Sequence, residues 1–219
     1  MYRRNILKAS GGLLSLGVLG ATSVTAQEQG ANASGKFRLH NTAEIINEPD
    51  VRPTNHVVSI DTSEDGMYGS TSRHLGVTAN DLDGQLSFAY KVVEGDTGGG
   101  SPRLILSIDD DGDNEHDMYL VTDGSSSPGW QNCPDTPDEW VSFNATDDED
   151  TYWRIHPGSS TFYTWTDAKE QLSENHTVLS GELVDDSFWS DCAAGVTYYD
   201  HITIGDRTLS GHSDVVGSR

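Results

Sequence analysis

Basic residues, and lysine in particular, are scarce in this sequence, and that scarcity excludes several classes of partner. The 219 residues contain 13 Lys and Arg against 35 Asp and Glu, which gives a formal net charge of −22. With no basic patch to neutralise phosphates, we expect no binding to DNA or RNA. The acidic residues are spread along the chain instead of forming one tail, which argues against a nucleic-acid mimic.

The combination of many acids and few lysines resembles secreted proteins of haloarchaea. After residue 26 the lysines are Lys36, Lys91 and Lys169. A compact domain with this charge repels itself at low salt, whereas at ~1 M salt the screening length falls to about 3 Å. The composition therefore predicts a halophilic protein.

A long apolar run is also missing, and the one apolar stretch, residues 11–21, is rich in glycine. It is shorter than the roughly 20 residues that span a bilayer. Arg3-Arg4 precedes it and Val24-Thr25-Ala26 follows, the pattern of a removable twin-arginine signal peptide over residues 1–26. We expect export to the cell exterior or cell surface, without stable membrane insertion after the signal is removed.

Cysteine occurs twice, at Cys133 and Cys192. An even count in an exported chain favours one disulfide, which would stabilise the fold by roughly 4 kcal/mol through loop closure. Two free thiols are the alternative. A zinc site is disfavoured because no C-x-x-C pair accompanies them.

What the sequence does contain is a period-2 alternation of apolar residues, the signature of half-buried strands. It recurs at residues 56–60, 85–93, 103–108, 117–121, 139–143, 152–155, 176–184 and 197–204. Short strands at this spacing predict an all-β protein, a two-sheet antiparallel β-sandwich of jelly-roll type. One short helix is expected at residues 167–172, with Asp167 as its N-cap.

The domain organisation follows from the same pattern. Residues 27–36 have no apolar period and predict a flexible leader. Residues 37–209 predict the sandwich domain, and residues 210–219, rich in Gly, Ser and Asp, predict a flexible tail.

The order of short motifs resembles a recurring secreted domain of bacteria and archaea. Gly84–Tyr90, Gly98–Leu104, Cys133-Pro134 with Trp140, Thr164–Ala168 and Tyr199–Ile202 with Gly205 carry this resemblance, which spans about residues 50–206. The resemblance implies a jelly-roll sandwich related in shape to laminin-G-like, galactose-binding and carbohydrate-binding modules. It brings no catalytic residues with it.

Calcium is the one cofactor that the sequence suggests. Asp109, Asp111 and Asp113 alternate in an acidic turn, as the odd positions of an EF-type loop do. Position six of such a loop is Asn114 here, and no glutamate occupies position twelve. The alternative is a solvated hairpin tip.

Aromatic and asparagine residues supply the remaining candidates. Trp130 and Trp189 lie in loops near the cysteines and are candidate sugar-stacking residues, whereas Trp140 and Trp153 are expected in the core. Asn144 and Asn175 fit the N-glycosylation pattern.

No catalytic motif accompanies these features. The chain has no G-x-S-x-G elbow, H-E-x-x-H helix or P-loop. We therefore predict a secreted, non-catalytic binding or cell-surface module whose partner is an extracellular glycan. A secreted carbohydrate-active enzyme, a jelly-roll lyase or hydrolase, is the first alternative, and a purely structural envelope protein is the second.

Overall fold

The structure is a computed structural model, and it describes residues 35–48, 55–63, 67–95, 101–122, 139–147, 149, 151–158, 160–186 and 195–216. Contacts between Cα atoms divide the chain into Met1–Ala33 and Ser34–Arg219. All described residues belong to the second unit. The predicted signal peptide, Trp130, Trp189 and the predicted Cys133–Cys192 disulfide lie outside the described residues.

Twelve strands and one α-helix form within these residues. In chain order they are β1 (Arg38–Asn41), β2 (Ala43–Asn47), β3 (His56–Asp61), β4 (Tyr68–Val77), β5 (Leu86–Glu94), β6 (Arg103–Asp109), β7 (Met118–Thr122), β8 (Val141–Asn144), β9 (Trp153–His156), α1 (Trp165–Glu170), β10 (Thr177–Asp186), β11 (Val196–Ile204) and β12 (Arg207–Leu209). Two 3₁₀ turns, Ala79–Leu82 and His212–Asp214, complete the set.

The strands pair antiparallel in two sheets. The first sheet has the order β1-β4-β10-β6-β7-β9, and the second has the order β2-β3-β11-β5-β8 with β12 beside β11. Successive strands β1 and β2 belong to different sheets, so the chain crosses from one layer to the other at Thr42.

The inner faces of the two sheets form one hydrophobic core. Successive side chains of a strand point to opposite faces, so every second residue of β5 and of β6 is directed inward. These buried residues are Leu86, Phe88, Tyr90 and Val92 from the second sheet and Leu104, Leu106 and Ile108 from the first. The predicted all-β, two-sheet antiparallel β-sandwich with one short helix is confirmed.

The period-2 pattern did not predict four strands, namely β1, β2, β4 and β12. Strand β4 shows the reason, since its buried positions include Gly69, Ser70, Thr71 and Arg73 instead of aliphatic residues. Pairing with β1 on one side and β10 on the other satisfies its backbone, and no apolar alternation is required.

The helix differs from its prediction at its start. Helix α1 begins at Trp165, and Thr164 is its N-cap, with its hydroxyl accepting a hydrogen bond of 3.1 Å from the Asp167 N–H. Asp167 therefore lies inside the first turn and is not the cap. Trp165 is buried in the core, and Leu172 packs against the core.

Among the described residues, no helix is long and apolar enough to cross a membrane.

Part of the segment after β12, predicted as a flexible tail, contacts the start of the sandwich. Phe37 donates a backbone hydrogen bond of 2.8 Å to the Asp214 carbonyl and accepts one of 2.9 Å from the Val216 N–H. Val215 packs against the core. Residues 214–216 are therefore attached to the start of the sandwich by two backbone hydrogen bonds and by the packing of Val215.

Candidate ligand-binding face

The outward side of the first sheet carries side chains arranged in three rows. In an antiparallel ladder, directly paired residues place their side chains on the same face, so each row can be read from the register. The arginine row is Arg38, Ser72, Glu182, Ile105, Val121 and Arg154, and the tyrosine row is His74, Ser180, Ser107, Tyr119 and His156. The third row is His40, Ser70, Val184 and Arg103.

These rows alternate with the core residues of the same strands. Ile105 and Val184 are buried, yet they do not belong to the core cluster between the sheets. Most members of the arginine and tyrosine rows are half-buried, including Tyr119, Arg154 and Glu182. This outward side, called the outer face from here on, is thus a packed polar surface.

Hydrogen bonds between neighbouring strands hold the polar groups of the outer face in place. The His40 ring Nε2 and the Ser72 hydroxyl are hydrogen-bonded at 2.8 Å, and Ser70 donates its hydroxyl to Glu182 Oε1. Arg103 forms a buried ion pair with Asp186, the next outward residue of β10. Such contacts limit the rotamers of these side chains before any ligand arrives.

One member of the tyrosine row, Tyr119, forms an aromatic pair with His116, which precedes β7. The rings of His116 and Tyr119 lie 3.8 Å apart between centroids at an interplanar angle of 37°. The Ser107 hydroxyl and His116 Nδ1 are hydrogen-bonded at 3.0 Å. Burial and, to a smaller extent, the charge of Glu182 raise the pKa of the Tyr119 phenol, which keeps it a neutral donor near pH 7.

The β9 end of the outer face carries an arginine and a histidine, Arg154 and His156. The Arg154 guanidinium lies 5.5 Å from the centroid of the Phe162 ring. Burial, followed by the charges of Arg154 and Arg103, lowers the pKa of His156. His156 is therefore an uncharged imidazole at neutral pH.

The outer face is long in the direction across the strands. Adjacent strands lie about 4.8 Å apart, so the five intervals from β1 to β9 span roughly 24 Å. Arg38 and Arg154 occupy the two ends of the arginine row. This length suits an extended chain better than a single small molecule.

The acidic turn is the tip of the β6–β7 hairpin, as the sequence predicted. Carboxylate oxygens of Asp109, Asp111 and Asp117 lie within 4.8 Å of one another, so Asp117 joins the group and the predicted ligand Asp113 does not. Asp113 instead accepts the Glu115 N–H at 2.7 Å. The sequence-based calcium site stays a prediction, with its third carboxylate changed.

Backbone N–H groups engage the same carboxylates. Asp109 is buried and accepts hydrogen bonds from Gly112 and Asn114, at 2.7 and 2.9 Å. Burial disfavours its ionised form, but the backbone donors outweigh burial and lower the pKa of Asp109. Asn114 adopts a φ of 65°, a left-handed conformation that asparagine tolerates, at loop position six.

The remaining sequence candidates lie away from the outer face. Trp153 is fully buried as expected, whereas Trp140, also predicted in the core, is 40% exposed. Trp140 directly precedes β8, which lies at the edge of the second sheet and, among the described strands, pairs with β5 alone. Asn144 and Asn175 are both exposed, and their glycosylation stays a prediction.

Comparison with known proteins adds distant structural likenesses, of which two are described here. No family model and no curated protein matches the chain. The chain is similar to the family 11 carbohydrate-binding module of the cellulosomal cellulase Lic26A-Cel5E of Clostridium thermocellum, with 12% identity over 84% of this chain and 91% of that one, at a TM-score of 0.43. It is also similar to a family 11 module from Clostridium thermocellum in complex with a β-1,3-1,4-mixed-linked tetrasaccharide, with 12% identity over 77% and 84% of the two chains, at a TM-score of 0.38.

Proposed function

We propose that this protein is a secreted, non-catalytic module that binds an extracellular glycan along the outer face. The observation that carries this proposal is the pair of registered rows that cross the first sheet from β1 to β9. They bring together hydroxyl, imidazole, guanidinium, carboxylate and phenol groups that no single strand contains.

The chemistry of these rows suits a sugar chain. Sugar hydroxyls both donate and accept hydrogen bonds, and the outer face offers both kinds of partner in Glu182, Ser107 and Tyr119. A sugar ring also has an apolar C–H face, which packs on an aromatic ring such as that of Tyr119. Apolar Ile105 and Val121 lie between the polar ends of the arginine row.

Preorganisation supports binding at this face. Ordering of flexible side chains costs roughly 0.5–1.5 kcal/mol for each one that a ligand immobilises. The contacts from Ser70 to Glu182 and from His116 to Tyr119 already restrict their rotamers. These short-range contacts also survive the high salt that the composition predicts, because screening acts mainly on distant, exposed charges.

The enzyme alternative is less well supported by the same residues. Glycoside cleavage generally uses two carboxyl groups about 5–10 Å apart on either side of the scissile bond. Among the members of the arginine and tyrosine rows, Glu182 is the one acidic side chain, and Ser70 already donates to it. Asp186, farther along β10, is held by Arg103.

A glycan array probed at molar KCl, followed by calorimetric titration of the strongest binder, tests the proposal. We expect Tyr119→Ala to weaken binding at least tenfold. Tyr198→Ala is the matched control, since Tyr198 is a half-buried tyrosine at an outward position of β11 in the second sheet.

The possible outcomes separate the candidates. Equal loss in both variants, or no glycan bound by the folded protein, would contradict the proposal. Release of reducing ends or of unsaturated products from a bound polysaccharide would favour the enzyme instead.

A further inference from the structure

We infer that the glycan recognised on the outer face is acidic, carrying uronate or sulfate groups that bind at Arg154 and at Arg38. This inference rests on the proposed glycan-binding function and adds the chemical class of the ligand. It predicts a preference that a neutral glucan-binding surface would not have.

The first support is the distribution of charge. The whole chain has a net charge of −22, and acidic residues outnumber basic ones by 35 to 13. The three rows of the outer face reverse this balance, since they contain Arg38, Arg103 and Arg154 but one acidic residue, Glu182. Asp186 flanks the third row and pairs with Arg103, so among the described residues of these rows and this flank three arginines stand against two carboxylates.

The second support is the local field at the β9 end. His156 responds to the charges of both Arg154 and Arg103, so these two guanidinium groups act on the same region of the outer face. His156 lies in the tyrosine row directly opposite Tyr119. An anionic group placed there would lie near the Arg154 guanidinium and beside the neutral hydrogen-bonding groups of His156 and Tyr119.

The third support is the chemistry of arginine itself. The planar guanidinium presents paired N–H donors that match the oxygens of a carboxylate or a sulfate. The Phe162 ring beside Arg154 holds the guanidinium by a cation–π contact, which orients the donors at low entropic cost. Arg38 and Arg154 are separated by roughly 24 Å, a span that a polymer with repeating acid groups can bridge.

The test uses polymer pairs that share a sugar backbone and differ in charge, namely polygalacturonate and its methyl ester, alginate and its propylene glycol ester, and dextran sulfate and dextran. Titrations are made at 2 M KCl, where long-range repulsion between the acidic protein and an acidic polymer is screened. We expect at least one acidic member to bind tenfold or more tightly than its neutral partner, because a charge-assisted hydrogen bond is about twice as strong as a neutral one.

Substitutions of the two arginines test where the acidic group of the polymer binds. Arg154→Gln should remove most of the preference for the acidic member, and Arg38→Gln should remove part of it, while binding to the neutral member changes little. Arg207→Gln is the matched control, since Arg207 is an exposed arginine on β12 in the second sheet. Circular dichroism and thermal melting establish that each variant is folded.

The outcomes distinguish this inference from the proposed function. Equal affinity for the charged and neutral members of every pair overturns the acidic-ligand inference and leaves glycan binding intact. Absence of binding to all six polymers and to the glycan array overturns both. Equally tight binding of single-stranded DNA would show attraction by charge alone and would also overturn the inference.

Discussion

The phenol of Tyr199 donates a hydrogen bond of 2.6 Å to Asp185 Oδ2 across the interior of the sandwich. Tyr199 belongs to β11 of the second sheet and Asp185 to β10 of the first, and both side chains are fully buried. Burial raises the pKa of Asp185 to about 6, against the opposing effect of the Tyr199 hydrogen bond. A carboxyl group in this position makes the stability of the sandwich depend on pH.

Replacement of Asp185 by asparagine is expected to flatten that dependence. The pKa rises from 3.8 when the chain is unfolded to about 6 when it is folded, so the stabilising proton is fully present below about pH 4 and lost as pH rises through 6. This shift corresponds to a loss of about 3 kcal/mol. Asp185→Asn stays neutral and still accepts the Tyr199 hydrogen bond.

Chemical denaturation between pH 4 and pH 8 at constant salt measures the difference between the two proteins. The free energy of unfolding of the wild type should fall relative to that of the variant across this range. If the free energies of unfolding of the two proteins changed with pH in parallel, Asp185 would not titrate as a buried carboxyl group in this range.

Close approach of the two sheets at Gly181 gives a second prediction. A Cβ added to Gly181 would lie 2.5 Å from Ile204 Cγ2 of the opposite sheet and 3.3 Å from Leu106 Cδ2. Overpacking of a core in this way costs about 1–3 kcal/mol. Gly181→Ala should therefore lower the melting temperature markedly.

Gly84→Ala separates steric overlap from backbone strain. Gly84 has a φ of 70°, but an added Cβ meets nothing within 4 Å, so only the penalty of a left-handed residue, roughly 1–2 kcal/mol, applies. We expect Gly181→Ala to be the less stable of the two variants in thermal melting. A larger loss at Gly84 would show that the sheets can separate to admit the methyl group.

The sequence predicts features that depend on the pattern within one strand, and it misses features that depend on how distant segments pair. Leu86, Phe88, Tyr90 and Val92 alternate within one strand, and this local signal predicted their burial correctly. Trp140 also occupies an alternating segment, but its exposure depends on its place beside an edge strand, which the alternation does not encode.

The outer face could not be predicted from the sequence for the same reason. Arg38, Glu182 and Arg154 are far apart in the chain, and they share a row only because β1, β10 and β9 pair in one particular register. Strand β4, which links β1 to β10, has no apolar alternation and was not predicted. Without β4, the row cannot be assembled from sequence.

The hairpin tip supplies a third prediction, which separates backbone support from metal binding. Asp117 Oδ2 accepts the N–H groups of Asp110 and Asp111, at 2.7 and 3.3 Å. Asp117→Ala should lower the melting temperature by about 3 °C in EDTA, since two backbone donors lose their acceptor. Asp113→Ala, outside the three-carboxylate group, is the matched control and should change it less.

Addition of CaCl₂ at constant ionic strength then tests the calcium prediction. Binding through Asp109, Asp111 and Asp117 should raise the melting temperature of the wild type and of Asp113→Ala, but not that of Asp117→Ala. The predicted calcium site is wrong if the wild type gains nothing, and the backbone role of Asp117 is unaffected by that result.

Dependence on salt is the fourth prediction, and it follows from the net charge of −22. Like charges on a compact domain destabilise it, and a rise from 0.1 M to 1 M salt shortens the screening length from about 10 Å to about 3 Å. The melting temperature at pH 7 should therefore rise steeply with KCl.

Near pH 4.4, the isoelectric point of the sequence, the net charge vanishes and the same addition of KCl should have much less effect. The pH comparison separates charge screening from the general stabilisation by salt of buried apolar surface, which operates at both pH values. Equal increments at pH 7 and at pH 4.4 would mean that carboxylate repulsion does not govern the effect of KCl on stability.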